Sequence, residues 1–501
     1  MRKQNRYLLY IFLFINTLAC SEFEFPEVLD EPISGDVDFS NIVFLGGSRF
    51  AELEDGALSI RGHQYSIPNL FLKGLEFIEQ DQIVTPFVNS ENGFNVYEDQ
   101  ANTTIGSYSV FFPTDDTLFF KREVSLGTPL NYENAGSEAL SSYSFPHAGI
   151  LEISQTSRNT NPFISSFFGN TSSIIDRAVA SNPSLFVLDI GFQDILNFAT
   201  NGAEGNPDLS DTNVASNEDL LSNDTFRSEL QQLVDRFLNS NPDAKGILLN
   251  IPDFIDFPFF SRASPLINGH VAAKPTIRTD AFASASVFNQ NVTEYYIQNP
   301  NPAPGERRPL LDYAGRVDID QWGLLVIDND LADISLNGEV IPKVKQLTLR
   351  DFVFYRNEQK RWSGLGSLVE NPVQPNGYLN EDDAEFIRQK VLAYNTVIRE
   401  IISNSNGRLA LVDSYSLFQR MFTGYGRLLG NPPEGINIAG VRYEPFISRD
   451  GIFSADGLNL NPVGKAIIVN EIISVINTQF AGNLERVDPN NVPKTSFGIG
   501  N

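Results

Sequence analysis

Few residue types in this 501-residue chain can carry covalent chemistry, and they are scattered. There are three histidines, His63, His147 and His270, and one cysteine, Cys20. That stock supplies neither an internal disulfide nor a Cys-based metal site. His63, after Arg61-Gly62, and His270, in a glycine-containing loop, have no evident partner. No Asp-x-Asp-x-Asp-Gly loop and no Gly-rich phosphate loop occurs, so neither a metal nor a cofactor is expected. The position that stands out is Ser48. It follows Asn41-Ile42-Val43-Phe44-Leu45-Gly46-Gly47, an apolar run that reads as a buried strand stopped by a Gly-Gly turn. A serine just past such a stop has its hydroxyl clear of the sheet edge, where a nucleophile or a ligand-binding group is useful. The competing reading is a cap for a helix expected over 51–58.

The elements that must position Ser48 alternate in type. Short apolar runs at 186–190, 246–249 and 409–412 read as strands. They are interleaved with helical stretches at 173–181, 228–239, 381–403 and 466–480. The clearest helix is 381–403, where Phe386, Ile387, Val391, Tyr394, Ile398 and Ile401 recur at helical spacing behind an Asn380 cap. Strand, helix, strand, helix in that order predicts an α/β fold with a parallel sheet covered on both faces. Two segments break the rhythm. Residues 82–129, rich in Thr, Ser, Asn, Phe and Tyr, and 254–346, with Pro, Gly and short alternating runs, are expected as β-rich insertions. They serve either as walls of a cleft beyond the strand ends or as surface elaboration.

A net charge of −26 and a pI near 4.5 leave no basic cluster to meet phosphates, which excludes nucleic acid as a partner. At the N-terminus, Arg2, Lys3 and Arg6 precede an apolar run over 7–15 and then Thr17-Leu18-Ala19-Cys20. This resembles a bacterial lipoprotein signal, which implies cleavage before Cys20 and lipid on that cysteine. A plain secretory signal or an N-terminal anchor is the alternative. Residues 1–19 are then the signal peptide and 20–37 an acidic tether. No later stretch approaches the apolar length of a membrane span. The expected location is the outer membrane, lipid-anchored, on its periplasmic or surface side.

Four blocks in order carry a wider resemblance: Val43-Phe44-Leu45-Gly46-Gly47-Ser48, Phe145-Pro146-His147-Ala148-Gly149, Asp189-Ile190-Gly191-Phe192-Gln193-Asp194, and 453–464 with Asp456 and Asn459. Their order and spacing resemble the SGNH (GDSL-type) hydrolase family, closest to its Bacteroidetes lipoprotein branch, over most of 38–480. The resemblance implies a three-layer α/β/α, flavodoxin-like domain over 38–480, with 481–501 as a C-terminal tail. It also implies roles. Ser48 matches the family nucleophile and Asp456 the triad acid. Asn459 stands where the family has its histidine base; the oxyanion-hole positions are Ser48 itself, His147, which replaces a glycine, and Gln193, which replaces an asparagine. Gly47 stands where the family has Asp or Asn.

An amide cannot take the serine proton near neutral pH, and loss of the base in a Ser-His-Asp triad costs roughly 10⁴ to 10⁶ in turnover. A displaced oxyanion donor costs about 10² to 10³ more. Three functions are therefore expected in competition. The first is a lipoprotein with a degenerate hydrolase site that holds an acyl or glycan ligand, or a partner, without cutting. The second is an active ester hydrolase, a lipase/acylhydrolase or carbohydrate esterase, with a substitute base such as His147. The third is a structural subunit that joins an outer-membrane protein partner.

Overall fold

The computed structural model describes residues 35–499, apart from 76–77, 80–81, 98–104, 113–120, 156–160, 170–172, 264–273, 313–322, 349, 357–363 and 496. The signal segment, Cys20 and His270 lie outside the described residues.

Five strands form the central sheet: β1 (Ile42–Gly46), β2 (Ser142–Ser144), β3 (Leu185–Asp189), β4 (Lys245–Leu249) and β5 (Leu409–Val412). They lie in the order β2-β1-β3-β4-β5, and every neighbouring pair is parallel. This is the strand order of one of the two common doubly wound sheets. Every residue of β1 and β3 is buried, which explains why they read as continuous apolar runs rather than alternating ones.

Helices cover the sheet in two groups. The first comprises α2 (Phe192–Thr200), α3 (Asn223–Ser240) and α4 (Glu381–Ser403). The second comprises α1 (Ile67–Lys73) and α5 (Pro462–Gln479), and both α4 and α5 touch β5. Asn380 caps α4 by accepting the Asp383 N–H at 2.8 Å, and Tyr394 stacks on Phe226 of α3 with centroids 3.8 Å apart. Among the described residues no helix is long and apolar enough to cross a membrane.

Three expectations need correction. Residues 51–58 do not start a helix. Leu53–Glu54 pairs antiparallel with Ala57–Leu58 around Asp55-Gly56, both at positive φ (53° and 77°), which is the two-residue type I′ hairpin that an Asp-Gly pair favours. Helix begins only at Ile60, behind the Ser59 cap. Phe386 is 37% exposed and so is not a core position of α4. The 254–346 insertion is not simply β-rich: a 24-residue helix, Pro275–Gln298, runs through it and buries Ala281, Ala285, Phe288, Val292 and Tyr295 in a separate apolar cluster with the hairpin Ile334–Ile341. The first and last described residues are bonded into the fold. Asp36 N–H bonds the Phe480 carbonyl at 2.7 Å, and Phe497–Ile499 adds as a parallel strand to Ile105–Phe112 of the first insertion.

Candidate functional site

Between β1 and β3 the strand order reverses, and the crevice past their C-terminal ends is where open α/β sheets bind ligands. Gly46 ends β1 in register with Asp189, which ends β3. Arg49 and Asp189 then lock the two strand ends together through a buried pair of charge-assisted bonds, one of them Nε to Oδ2 at 2.8 Å. The guanidinium lies over Phe192, 4.6 Å from the ring centroid.

Ser48, 2% exposed, sits in this crevice with its polar groups already engaged. Its N–H donates to Gln193 Oε1 at 2.8 Å, and its Oγ accepts the backbone N–H of His147 at 3.1 Å. Gln193 Nε2 donates to Asn197 Oδ1 at 2.6 Å, and Asn197 Nδ2 donates to the His147 carbonyl at 3.1 Å. The ring of bonds fixes the amide orientation. A backbone N–H can only donate, so Gln193 must turn its oxygen toward Ser48 and its NH₂ away. Gly47 permits the arrangement, because a Cβ there would lie 2.6 Å from Gln193 Cβ.

His147 takes part through its backbone. Its φ of 60° is left-handed, its ring meets Tyr97 edge-on at 5.6 Å, and Nε2 lies 3.2 Å from the Val96 carbonyl. A carbonyl only accepts, so Nε2 carries a proton. Burial holds the imidazole below its ordinary pKa. Among the described residues, the only hydrogen-bond partner of Ser48 Oγ is the His147 N–H, which is itself a donor.

Asp456 and Asn459 are brought to the same place. Asn459 and Ser48 line one small cavity of about 20 Å³ with Arg49, Phe192, Phe257 and Lys465, which is room for a single water. The Asp456 carboxylate is saturated: it accepts Gly56 N–H (2.7 Å), Leu458 N–H (2.7 Å), Asn459 N–H (2.8 Å) and Asn459 Nδ2 (3.0 Å). Asn459 Nδ2 also donates to the Tyr97 hydroxyl at 2.7 Å. His63 lies apart, bonded through Nδ1 to Glu52 at 2.7 Å. Among the described residues no three His, Cys, Asp or Glu side chains cluster as a metal site.

Three participants were missed in the sequence. Asn197 had a signal, since it lies one helical turn after Gln193 on α2. Tyr97 had none, because it arrives from a distant segment, whereas Lys465 directly follows the 453–464 block. No protein-family model matches the chain, and no curated protein matches it either.

Proposed function

We propose that this chain is a lipid-anchored, SGNH-hydrolase-like protein that has given up ester cleavage and acts by holding a ligand or a partner. One observation carries the reading: Ser48 Oγ faces a backbone donor, the His147 N–H, instead of a base. Two further features support it. The Ser48 N–H, an oxyanion donor in the family, is occupied by Gln193, and the triad-acid position Asp456 holds an amide, Asn459, that offers it protons. With about 20 Å³ free beside Ser48, an acyl chain or a sugar ring cannot enter unless Phe192 or Phe257 moves, so the ligand or partner is held elsewhere on the molecule. The Cys20 anchor, the outer-membrane location and a protein partner there belong to the same reading.

The test is chemical. Purified wild type and Ser48→Ala should hydrolyse small activated esters at one background rate, and a fluorophosphonate probe should leave Ser48 unlabelled. Ser48-dependent turnover or labelling would overturn the proposal and make His147 the substitute base.

A further inference from the structure

A roomier, polar cavity lies away from Ser48. It holds about 250 Å³, against about 20 Å³ beside Ser48, and shares no lining residue with that pocket. At roughly 30 Å³ per water it has space for about eight, the bulk of an amino acid or a monosaccharide. One wall is the 53–58 hairpin, with Glu54 and Asp55, together with Arg61. The other is the strand Ile105–Phe112 of the first insertion, with Ser107 and Ser109, closed by Thr495.

Two polar atoms of this wall lack partners among the described residues. Glu54 is 2% exposed, and its Oε1 pairs with Arg61 Nη2 at 2.9 Å, but Oε2 has no hydrogen-bond partner. Arg61 Nε on the same ion pair also has none. An orphaned carboxylate oxygen asks for a donor and an orphaned N–H for an acceptor, and native structures leave few such groups buried. The charge balance has a sign. Among the described residues, Glu54, Asp55 and Glu91 line the space against Arg61. Behind the wall Lys465, whose Nζ is on the Leu53 carbonyl at 2.7 Å, acts on Glu54 first, then Asp55, and least on Asp456, so four carboxyls still stand against two cations. Burial beside Glu54 also raises the Asp55 carboxyl, as expected where negative charge lacks a counterpart.

We propose that this cavity is a binding site for a small molecule carrying a primary ammonium next to an oxygen acceptor. The ammonium donates to Glu54 Oε2 beside Asp55, and the oxygen accepts from Arg61 Nε. Amino acids and amino sugars share this chemistry. The cavity wall is bonded to the 453–464 segment: Asp55 Oδ1 accepts the Ala455 N–H at 2.7 Å, and the adjoining Gly56 N–H donates to Asp456.

Isothermal titration of the purified protein tests the proposal with two matched pairs, D-glucosamine against D-glucose and L-alanine against L-lactate. At least one amine should bind while its amine-free counterpart does not, and the amine that binds identifies the source. Asp55→Asn should weaken that binding at least about tenfold, by removing a charge while keeping the turn, since Asn-Gly is as good a type I′ pair as Asp-Gly. Glu54→Gln should weaken it as well. The proposal fails if neither amine binds, if glucose or lactate binds as tightly as its partner, or if Asp55→Asn binds like wild type. None of these results bears on ester turnover, so the silence of Ser48 stands or falls separately.

Discussion

Asn459 Nδ2 lies 3.0 Å from Asp456 Oδ2 and 2.7 Å from the Tyr97 hydroxyl, so the amide donates both of its protons and keeps none of a base's function. An imidazole in its place would accept from Ser48 what an amide cannot.

Asn459→His places such an imidazole on Asp456. Because Gln193 still occupies the Ser48 N–H, the gain in ester turnover should be modest, at least about 10²-fold short of a complete site. Adding Gln193→Asn, which shortens the side chain by one methylene, should raise the rate further. If Asn459→His alone reached full esterase rates, the closed Gln193 amide would not be an obstacle to the oxyanion.

The Arg49–Asp189 pair joins the ends of β1 and β3, with side chains only 6% and 1% exposed. Asp189→Asn or Arg49→Met should each lower unfolding free energy by roughly 3–5 kcal/mol, the usual cost of stranding one member of a buried pair. The double variant Arg49→Met with Asp189→Leu should lose less than the two added together. Urea unfolding measures all three, and simple additivity would show that the pair is not coupled.

Two carboxyls hold the segment that presents His147. Asp194 Oδ1 accepts the Ile150 N–H at 2.9 Å, and Glu152 Oε2 accepts the Gly149 N–H at 2.9 Å. Burial pushes Asp194 up to about 6 and Glu152 up to about 7. Both folded values lie above those of the unfolded chain, so the folded state binds more protons between about pH 4 and 7. Stability is therefore greatest below that window and falls as pH rises through it. Asp194→Asn keeps an oxygen for Ile150 and puts an amide NH₂ where Oδ2 has no partner among the described residues. The variant should show a shallower loss from about pH 4 to 6 and a gain on the order of 3 kcal/mol above that window. Parallel curves for variant and wild type in urea titrations at those pH values would rule out Asp194 as the titrating group.

Cys20→Ser removes the expected lipid acceptor. Expressed with its own N-terminus in a bacterial host, the variant should move from the membrane pellet to the soluble fraction. Continued sedimentation at the wild-type level would point to an uncleaved N-terminal anchor instead.

What the sequence determined by itself is the frame. Strands β1, β3, β4 and β5 and helices α3, α4 and α5 were legible because burial on both faces of a parallel sheet writes continuous apolar runs, and a half-buried helix writes a 3.6-residue stripe. Both are local patterns. The candidate positions Ser48, His147, Gln193, Asp456 and Asn459 could likewise be named from short motifs. Tertiary structure decided the rest. The β2 strand, Ser142-Tyr143-Ser144, is buried throughout yet carries no apolar run, so only pairing with β1 makes it a strand. In the Pro275–Gln298 helix, Ala281, Ala285, Phe288, Val292 and Tyr295 do keep helical spacing. Small alanines and the exposed Phe282, Val287 and Ile297 blur the stripe. At the site, the outcome turned on which way an amide faces. Gln193 presents its oxygen to Ser48 because Gly47 leaves room and Asn197 takes the NH₂, and His147 contributes a backbone N–H because its φ is left-handed. The Ser48–Gln193 and Ser48–His147 bonds span 145 and 99 residues of chain, and partners chosen over such separations leave no trace in local periodicity.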